Sequence, residues 1–240
     1  MVLVSWTPAQ AEALRVFAAA SLTEAFREVV EAYQAGHPGE GVELNFAGSQ
    51  VLRTQIEQGA EADVFASADV THAEALEKSG LLGPTAVFAR NRLVIVAPTG
   101  PGRVARLEDL ALPGLKLVVA GPAVPAGRYT AQVLGRLGAW LGPDFVRRVE
   151  ANVVSQETNV RAVLSKVALG EADAGFVYAS DAQDAGRVRL VALPDHANVV
   201  AEYPVGVVRR SPRAAAARAF VALLVGPTGQ AILRRHGFTP

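Results

Sequence analysis

The sequence predicts an α/β protein of two lobes, each a mixed, mostly parallel sheet flanked by helices. Short β-branched runs alternate with stretches of helical apolar spacing along the whole chain. This alternation is typical of parallel sheets that are covered by helices on both faces. About nine such runs are recognisable, which is many for one sheet in a chain of 240 residues. Because this length is enough for two lobes with a core each, we expect two lobes.

The first thirteen residues have features of an incomplete secretory signal. Residues 1–6 are mainly apolar, and Ala9-Gln10-Ala11 has the small-x-small form of a signal cleavage site. The basic start and the full apolar core of a signal peptide are missing. We predict that residues 1–13 are a signal-peptide remnant or else a disordered leader, and that they lie outside the fold.

The segment after the leader predicts a strand and then a helix. Residues 14–20 form a short, mainly apolar run. After it, apolar residues between positions 22 and 33 repeat at the spacing of one helical face. Ser21 and Glu24 have the Ser-x-x-Glu pattern of a capping box, which marks a helix start. Gly36 lies where the helix would end.

The middle of the chain repeats this alternation as far as residue 138. Residues 42–46 alternate between apolar and polar, which indicates a strand, and Gly48 interrupts the pattern before a helix. We interpret residues 90–92, Arg-Asn-Arg, as a solvated loop at the junction of the lobes. The remaining predicted strands of this part are residues 63–67, 93–97 and 117–120, and the predicted helices are residues 49–59, 71–78 and 128–138.

The C-terminal part predicts further strands and ends in two helices. Apolar residues at positions 160, 163, 164 and 167 lie on one helical face, which Gly170 ends. The predicted strands are residues 151–154, 174–178, 188–193 and 203–208, and two alanine-rich helices start near residues 211 and 228.

Charge and cysteine content exclude several kinds of partner. The 23 Lys and Arg residues are balanced by 23 Asp and Glu residues, so no basic stripe marks a nucleic-acid surface. The chain has no cysteine, which removes disulfides, thiolate zinc sites and cysteine nucleophiles. The histidines are scattered without the spacing of metal ligands, so we expect no metal cation site and expect surface or loop positions for all four. They are His37, His72, His196 and His236.

Four strand-to-helix turns combine small residues with a helix start. Ligands of open α/β sheets bind outside the carboxyl ends of strands, and small residues let a ligand approach the backbone. The first turn of a helix leaves N–H groups unpaired at the positive end of its dipole, so several such turns aimed at one point would bind an anion without Arg or Lys. In the alternative interpretation, Ser21 and Ser49 only cap their helices. The turns are residues 18–21, 46–49, 124–127 and 158–160.

The chain resembles the ModA family, the periplasmic molybdate-binding proteins of molybdate ABC transporters. The matching segments occur in the family's order through nearly all of residues 14–240, and their combination is more specific than any one of them. They are VFAAASLT at 16–23, FAGS at 46–49, ADVFASAD at 62–69, VPAGRY at 124–129, NVR at 159–161, GFVYASD at 175–181, EYPV at 202–205 and GF at 237–238.

Transferred position by position, the resemblance implies five contacts to an oxyanion. Ser21 and Ser49 would donate hydroxyl and backbone N–H groups from the first lobe. Ala126 and Val160 would donate backbone N–H groups from the second lobe, and Tyr178 would donate its phenol O–H. Molybdate offers four acceptor oxygens and no donor, so a site made only of donors suits it. Tungstate has nearly the same size and is expected to bind similarly.

The resemblance also implies the fold, the lobe limits and the partners. It implies a type II periplasmic-binding-protein-like fold in which lobe I comprises residues 14–89 and 202–240 and lobe II residues 90–201. The lobes would close on the ligand by a hinge. The protein would be an exported, periplasmic or extracytoplasmic monomer that has no cofactor or catalytic activity and delivers its ligand to an ABC permease. Two departures are the longer segment 140–159, and Gly48 and Gln50 where some relatives have hydroxyls.

Other functions on the same fold remain as alternatives. The ligand could be another tetrahedral oxyanion such as sulfate. A ligand-sensing domain of a regulator would need a DNA-binding segment, which thirteen leader residues cannot supply. An enzyme would need a nucleophile, a base or a cofactor motif; we find none, and we interpret Glu61 and Asp63 as a turn and a cap. The arginine pairs at 209–210 and 234–235 are either exposed faces or a docking surface for a permease.

Overall fold

Strands and helices alternate through residues 12–183 and 185–240, the parts of the chain that the structure, a computed structural model, describes. The strands are β1 Leu14–Ala19, β2 Val42–Ala47, β3 Val64–Ala66, β4 Ala86–Pro98, β5 Leu117–Ala120, β6 Val153–Glu157, β7 Ala174–Tyr178, β8 Val188–Val191 and β9 Val200–Val207. The α-helices are α1 Thr23–Gly36, α2 Ser49–Glu57, α3 Val70–Lys78, α4 Pro125–Leu141, α5 Pro143–Ala151, α6 Val160–Ala168, α7 Ala179–Gln183, α8 Ala214–Val225 and α9 Pro227–Arg235. Two short 3-10 helices cover Ala20–Leu22 and Leu107–Ala111. The predicted leader, residues 1–13, lies outside the described residues except for its last two.

One half of the sheet is formed by strands from both ends of the chain. β1 lies between β2 and β3 and is parallel to both, so Phe17 pairs with Asn45 on one side and with Phe65 on the other. β9 is antiparallel to β3, and the first part of β4 is antiparallel to β9. Because β1, β2 and β3 are parallel, the turns that follow β1 and β2 lie at the same edge of the sheet.

The other half of the sheet repeats this arrangement with the middle of the chain. β5 lies between β6 and β7 and is parallel to both. The second part of β4 is antiparallel to β7, and β8 pairs with the end of β4. β4 therefore belongs to both halves and joins them. The predicted two-lobed α/β class is confirmed, with parallel pairing inside the two strand triples and antiparallel pairing where the lobes connect.

Residues 90–92 are part of β4, so their interpretation as a solvated loop was wrong. Asn91 is buried, and its Nδ2 donates to the hydroxyl oxygen of Ser180 at 2.7 Å. The Arg90 and Arg92 side chains point to the exposed face, where Arg90 Nε lies 3.1 Å from a carboxylate oxygen of Glu202. The backbone of these residues pairs with β9. This part of β4 was not predicted as a strand because it contains charged residues rather than an apolar run.

The segment 140–159 contains a helix that the sequence analysis did not identify. α4 continues to Leu141 rather than ending near residue 138, and Gly142, with φ of 90°, connects it to α5. Such a positive φ favours glycine because a side chain would clash with the backbone. α5 buries Phe145 and Val149. The length of this segment is therefore taken up by α5 and β6, and α6 still begins at Val160.

Asp63 is a buried ion-pair partner rather than the turn or cap that the sequence suggested. Its carboxylate accepts from the backbone N–H of Arg15 at 2.7 Å and from Arg213 Nε at 2.9 Å. The hydroxyl of Ser211 also donates to it, at 2.5 Å. Burial of a carboxylate is tolerated only with such partners. Asp63 therefore ties the start of β3 to the start of α8.

The C-terminal helices pack against α1 in lobe I. The ring of Phe220 in α8 lies 6.1 Å from that of Phe26 and 5.4 Å from that of Tyr33, measured between centroids. Within the described residues, no single helix is both long and apolar enough to cross a membrane; α8 and α9 pass that test only as a pair, with a bend of 59° between them.

Candidate ligand-binding site

A small cavity lies where the carboxyl ends of the parallel strands of both lobes meet. Its volume is about 10 Å³, roughly the room that one water molecule needs. None of the described residues that line it is charged. All five residues predicted from the resemblance are among them. The lining residues are Ala19, Ala20, Ser21, Ala47, Gly48, Ser49, Ala68, Val124, Pro125, Ala126, Asn159, Val160 and Tyr178.

Three helices begin at this cavity. α2 begins at Ser49 and α6 at Val160, and the first N–H groups of a helix have no acceptor within it. The side chain of Asn159 accepts from the N–H of Ala162 at 3.0 Å, which caps α6 without using the N–H of Val160. α4 begins with Pro125, which has no N–H, so Ala126 supplies its first donor. The cavity therefore lies at the positive ends of three helix dipoles.

Ser49 does not cap its helix, contrary to the alternative interpretation. Gly48 is the N-cap residue and the helix has no side-chain cap. The Ser49 hydroxyl oxygen instead accepts from the backbone N–H of Ala68 at 3.0 Å, and the residue is buried. A hydroxyl that accepts this bond still has its own proton to donate, and Ser49 lines the cavity.

Ser21 does not form the predicted capping box either. It lies within the 3-10 helix that precedes α1, and α1 has no side-chain cap. The Ser21 Oγ lies 3.0 Å from the Oη of Tyr203 in β9. Glu24, the other half of the predicted box, bonds to Arg161 of lobe II at 2.8 Å. The 3-10 turn displaces Ser21 from the capping position, which frees it to line the cavity.

Tyr178 presents an unsatisfied hydrogen-bond donor. It is the last residue of β7 and is buried, and in the described part of the chain its Oη has no hydrogen-bond partner. Burial, together with nearby Tyr203 and Tyr129, raises the pKa of Tyr178 well above its usual value, so the phenol keeps its proton. Buried polar groups are nearly always paired, so this O–H indicates a place for an acceptor.

Direct contacts hold the two lobes together around the cavity. Gln50 Nε2 donates to the carbonyl oxygen of Thr158 at 2.8 Å. A Cβ on the neighbouring Gly48 would lie 2.4 Å from that same oxygen. Further from the cavity, Asp69 pairs with Arg128. The lobes are therefore in close contact, and the small size of Gly48 is required for it.

His72 is another contact between the lobes and is not at the surface as expected. It is buried, and its Nε2 lies 3.1 Å from the carbonyl oxygen of Ala123. Burial lowers the pKa of His72, although the bond to Ala123 opposes this. Because a carbonyl only accepts, Nε2 carries the proton. No signal in the sequence distinguished His72 from the other histidines, since Ala123 is 51 positions away.

Asp181 is a buried carboxyl group beside Tyr178 that the sequence analysis did not select. Its Oδ2 accepts from the backbone N–H of Tyr178 at 3.3 Å, and Arg161 Nη1 lies 3.9 Å from Oδ1. Burial raises the pKa of Asp181 to about 7, and Arg161 only partly offsets this. A larger cavity of about 290 Å³ between the lobes is lined by Asp181, Arg161, Glu24 and Ser21 among others.

The arginine pairs considered as a docking surface are partly used within the fold. Arg209 Nε donates to the carbonyl oxygen of Leu82, and Arg210 donates to the last turn of α2. Arg235 pairs with Glu28. Within the described residues, no group of three or more His, Asp or Glu side chains is placed to hold a metal ion.

Two α/β lobes that meet on a small, uncharged, donor-lined cavity define a two-lobed solute-binding protein. The chain belongs to the bacterial extracellular solute-binding protein family, which it matches over residues 14–239, and within it to the ModA family. The molybdate-binding protein ModA of Mycobacterium tuberculosis is 44% identical to it over 95% of this chain and 85% of the relative. The predicted family is thereby confirmed.

Solved structures agree on the fold but differ in their ligands. The substrate-binding domain of a putative molybdenum ABC transporter from Clostridium difficile has a TM-score of 0.67, with 29% identity, 94% coverage of this chain and 97% of that one. The sulfate-binding protein SubI of Mycobacterium tuberculosis has a TM-score of 0.84, with 19% identity, 95% coverage of this chain and 86% of that one. The fold alone therefore does not decide between ligands.

Proposed function

We propose that this protein captures molybdate, and also tungstate, between its lobes and delivers it to an ABC permease. It would act as a monomer in the periplasm or at the outer face of the membrane, with lobe I formed by residues 14–89 and 202–240 and lobe II by residues 90–201. One observation carries the proposal: five residues that the family resemblance selects line one uncharged cavity between the lobes. They are Ser21, Ser49, Ala126, Val160 and Tyr178.

The chemistry of the cavity supports a tetrahedral dianion as the ligand. The hydroxyl of Ser49, the phenol of Tyr178 and the first N–H groups of α2, α4 and α6 are donors, and molybdate has only acceptors. Hydrogen bonds to a charged group contribute about 1.5–3 kcal/mol each. About seven of them would offset association costs of several kcal/mol and leave the roughly 8 kcal/mol that a micromolar Kd requires, with some to spare.

We propose binding without a chemical step. A serine nucleophile needs a general base within hydrogen-bond reach. The hydroxyl of Ser49 contacts the N–H of Ala68, and the hydroxyl of Ser21 contacts the phenol of Tyr203. Neither partner can take up a proton at neutral pH. The described contacts of both serines therefore suit donation to a ligand rather than attack on it.

Isothermal titration with molybdate, tungstate, sulfate and nitrate tests the proposal. We expect sub-micromolar Kd values for molybdate and tungstate, because both fit donors mounted on rigid helix starts. Sulfate is smaller, so the same donors lie too far from its oxygens, and we expect its Kd to be at least 100-fold higher. Nitrate is planar and singly charged and serves as the negative control. If no tetrahedral dianion bound, the proposal would be wrong.

Sulfate is the second candidate, because a cavity lined by uncharged donors would also suit another tetrahedral dianion that has only acceptors. The same titration separates the two. A sulfate Kd below that of molybdate would assign the protein to sulfate and would place the donors closer together in solution than a molybdate site requires.

A further inference from the structure

We propose that another cavity between the lobes is a second binding site, which takes a small carboxylate that also bears hydroxyl groups. We call it the arginine cavity, because Arg53 and Arg128 line it. Its volume is about 570 Å³, within the range of about 300–1,000 Å³ that is usual for small-molecule sites. Among the described residues, none lines both the arginine cavity and the small cavity of the proposed oxyanion site. The inference therefore goes beyond the proposed function and does not depend on it.

Both lobes contribute donors to the arginine cavity. Arg53 comes from α2 of lobe I, and Arg128 comes from α4 of lobe II. Their side chains are 32% and 30% exposed, so both are accessible to a ligand although they are partly covered. A guanidinium group presents its N–H donors in a fork that matches the two oxygens of a carboxylate. The cavity can therefore hold a carboxylate from either lobe.

Gln50 and His72, which also line the arginine cavity, each have a buried acceptor without a partner. Gln50 Nε2 donates to the carbonyl oxygen of Thr158 at 2.8 Å, which fixes Oε1 as the acceptor of that amide. The proton on His72 Nε2 is directed to Ala123 at 3.1 Å, which leaves Nδ1 as an acceptor. His72 is only 3% exposed. Within the described residues, neither Gln50 Oε1 nor His72 Nδ1 has a hydrogen-bond partner, and buried polar groups are nearly always paired. The two acceptors therefore indicate a ligand that has donors.

Charge alone does not define this ligand. Arg128 pairs with Asp69, and Arg53 Nε lies 3.4 Å from a carboxylate oxygen of Glu57, so each arginine already has a carboxylate beside it. An anion that offers only acceptors, such as molybdate, would leave the amide oxygen and the ring nitrogen unsatisfied. A hydroxycarboxylate satisfies both sets of groups, because its carboxylates accept from guanidinium groups and its hydroxyls donate to the two acceptors.

Isothermal titration with tartrate and succinate at pH 8, without molybdate, tests the inference. Both are dicarboxylates with the same carbon chain, and only tartrate carries hydroxyls. The ring of His72 is neutral at this pH, because burial lowers its pKa. Each hydroxyl that meets an acceptor should lower the Kd roughly 2- to 12-fold. We therefore expect a tartrate Kd below about 1 mM and at least about 5-fold below that of succinate. Equal Kd values would show that the two acceptors do not select the ligand and would overturn the inference, as would the absence of tartrate binding.

Arg53→Gln removes one cation of the arginine cavity and keeps a polar side chain there. Loss of its charge-assisted bonds should raise the tartrate Kd roughly 10-fold or more. The molybdate Kd should not change, because Arg53 does not line the small cavity. Arg147→Gln is the matched control, since Arg147 also pairs with a carboxylate on its own helix, Asp144 at 2.8 Å, but lies in α5 outside the arginine cavity. An Arg53→Gln variant that bound tartrate like Arg147→Gln would contradict the inference.

His72→Phe separates recognition of the hydroxyls from support of the cavity. It removes the Nδ1 acceptor and also the contact with Ala123. Loss of that contact alone would weaken tartrate and succinate equally, whereas loss of the acceptor should lower the preference for tartrate at least about 2-fold. A preference that stayed the same would refute the role of His72. If His72→Phe does not fold, Arg53→Gln still decides. Failure of the unmodified protein to bind molybdate would overturn the proposed function and would not alter the result of the tartrate titration.

Discussion

Gly48→Ala should weaken ligand binding without destabilising the ligand-free protein. Gly48 has φ of −63° and ψ of 140°, which alanine adopts freely. The obstacle is in the other lobe: an added Cβ would lie 2.4 Å from the carbonyl oxygen of Thr158, whereas ordinary contacts begin at 3.4 Å. The backbone of Thr158 cannot move aside as a flexible side chain would. The difference between these two distances means that the lobes must stay about 1 Å further apart at this point.

The size of the effect follows from the bonds that such a separation affects. The Gln50–Thr158 hydrogen bond of 2.8 Å would lengthen beyond hydrogen-bond range. Ser49, next to Gly48, could not contact the ligand together with Ala126 and Val160. Loss of one or two charge-assisted bonds, at about 1.5–3 kcal/mol each, raises the Kd by roughly 10-fold to roughly 20,000-fold. Isothermal titration with molybdate measures this change directly.

Gly36→Ala is the matched control, because a Cβ at Gly36 meets nothing within 4 Å. It should bind molybdate like the unmodified protein. Thermal unfolding without ligand should give the same Tm, within about 2 °C, for both variants and the unmodified protein, since only the closed arrangement is affected. A Gly48→Ala variant that bound molybdate at full affinity would refute the close approach of the lobes at Thr158.

Three further predictions concern the site. Ser49→Ala should raise the molybdate Kd by roughly 5- to 150-fold, equivalent to about 1–3 kcal/mol, in titration. Tyr178→Phe should weaken binding but raise the Tm of the ligand-free protein, because it removes a buried O–H without a partner; a lower Tm would contradict this. The raised pKa of Asp181, about 7 against 3.8, means that the native state holds a proton that the unfolded chain releases. The neutral carboxyl contributes up to about 4 kcal/mol to the stability of the fold. This contribution is complete below pH 4 and is lost as the pH rises through 7. Asp181→Asn should therefore reduce the dependence of the Tm on pH in this range.

Local patterns were enough to predict most elements of the fold. β5 and β7 have the predicted bounds, because short apolar runs between turns are read without knowledge of their neighbours. The first part of β4 was missed because it contains charged residues and is a strand only through the pairing of its backbone with β9. Asp63 was misread for a related reason: its partner Arg213 is 150 positions away. Tertiary partners override local patterns at such positions.

The sequence likewise predicted only one part of the candidate site. Small residues and hydroxyls at helix starts indicated the turns, and the resemblance selected five positions within them. The groups that orient those residues escaped the sequence analysis, because orientation depends on contacts across the fold. Tyr203 and Asp181 both lie within segments that match the family, at 202–205 and 175–181. The sequence did not show what they contact, because β3 separates the β9 strand of Tyr203 from β1 and Asp181 bonds to the backbone of Tyr178.

The separation of donors between the lobes gives a reason for the lack of charge in the cavity. Arg128 and Arg161 follow the cavity residues Ala126 and Val160 closely, yet they pair across the cleft with Asp69 and Glu24. The cations thus act in closure rather than on the ligand. An arginine in one lobe would hold a dianion even when the lobes separate. Uncharged donors divided between two lobes lose about half of their bonds on opening, and water satisfies them at once. Affinity then depends on closure, as release to a transporter requires.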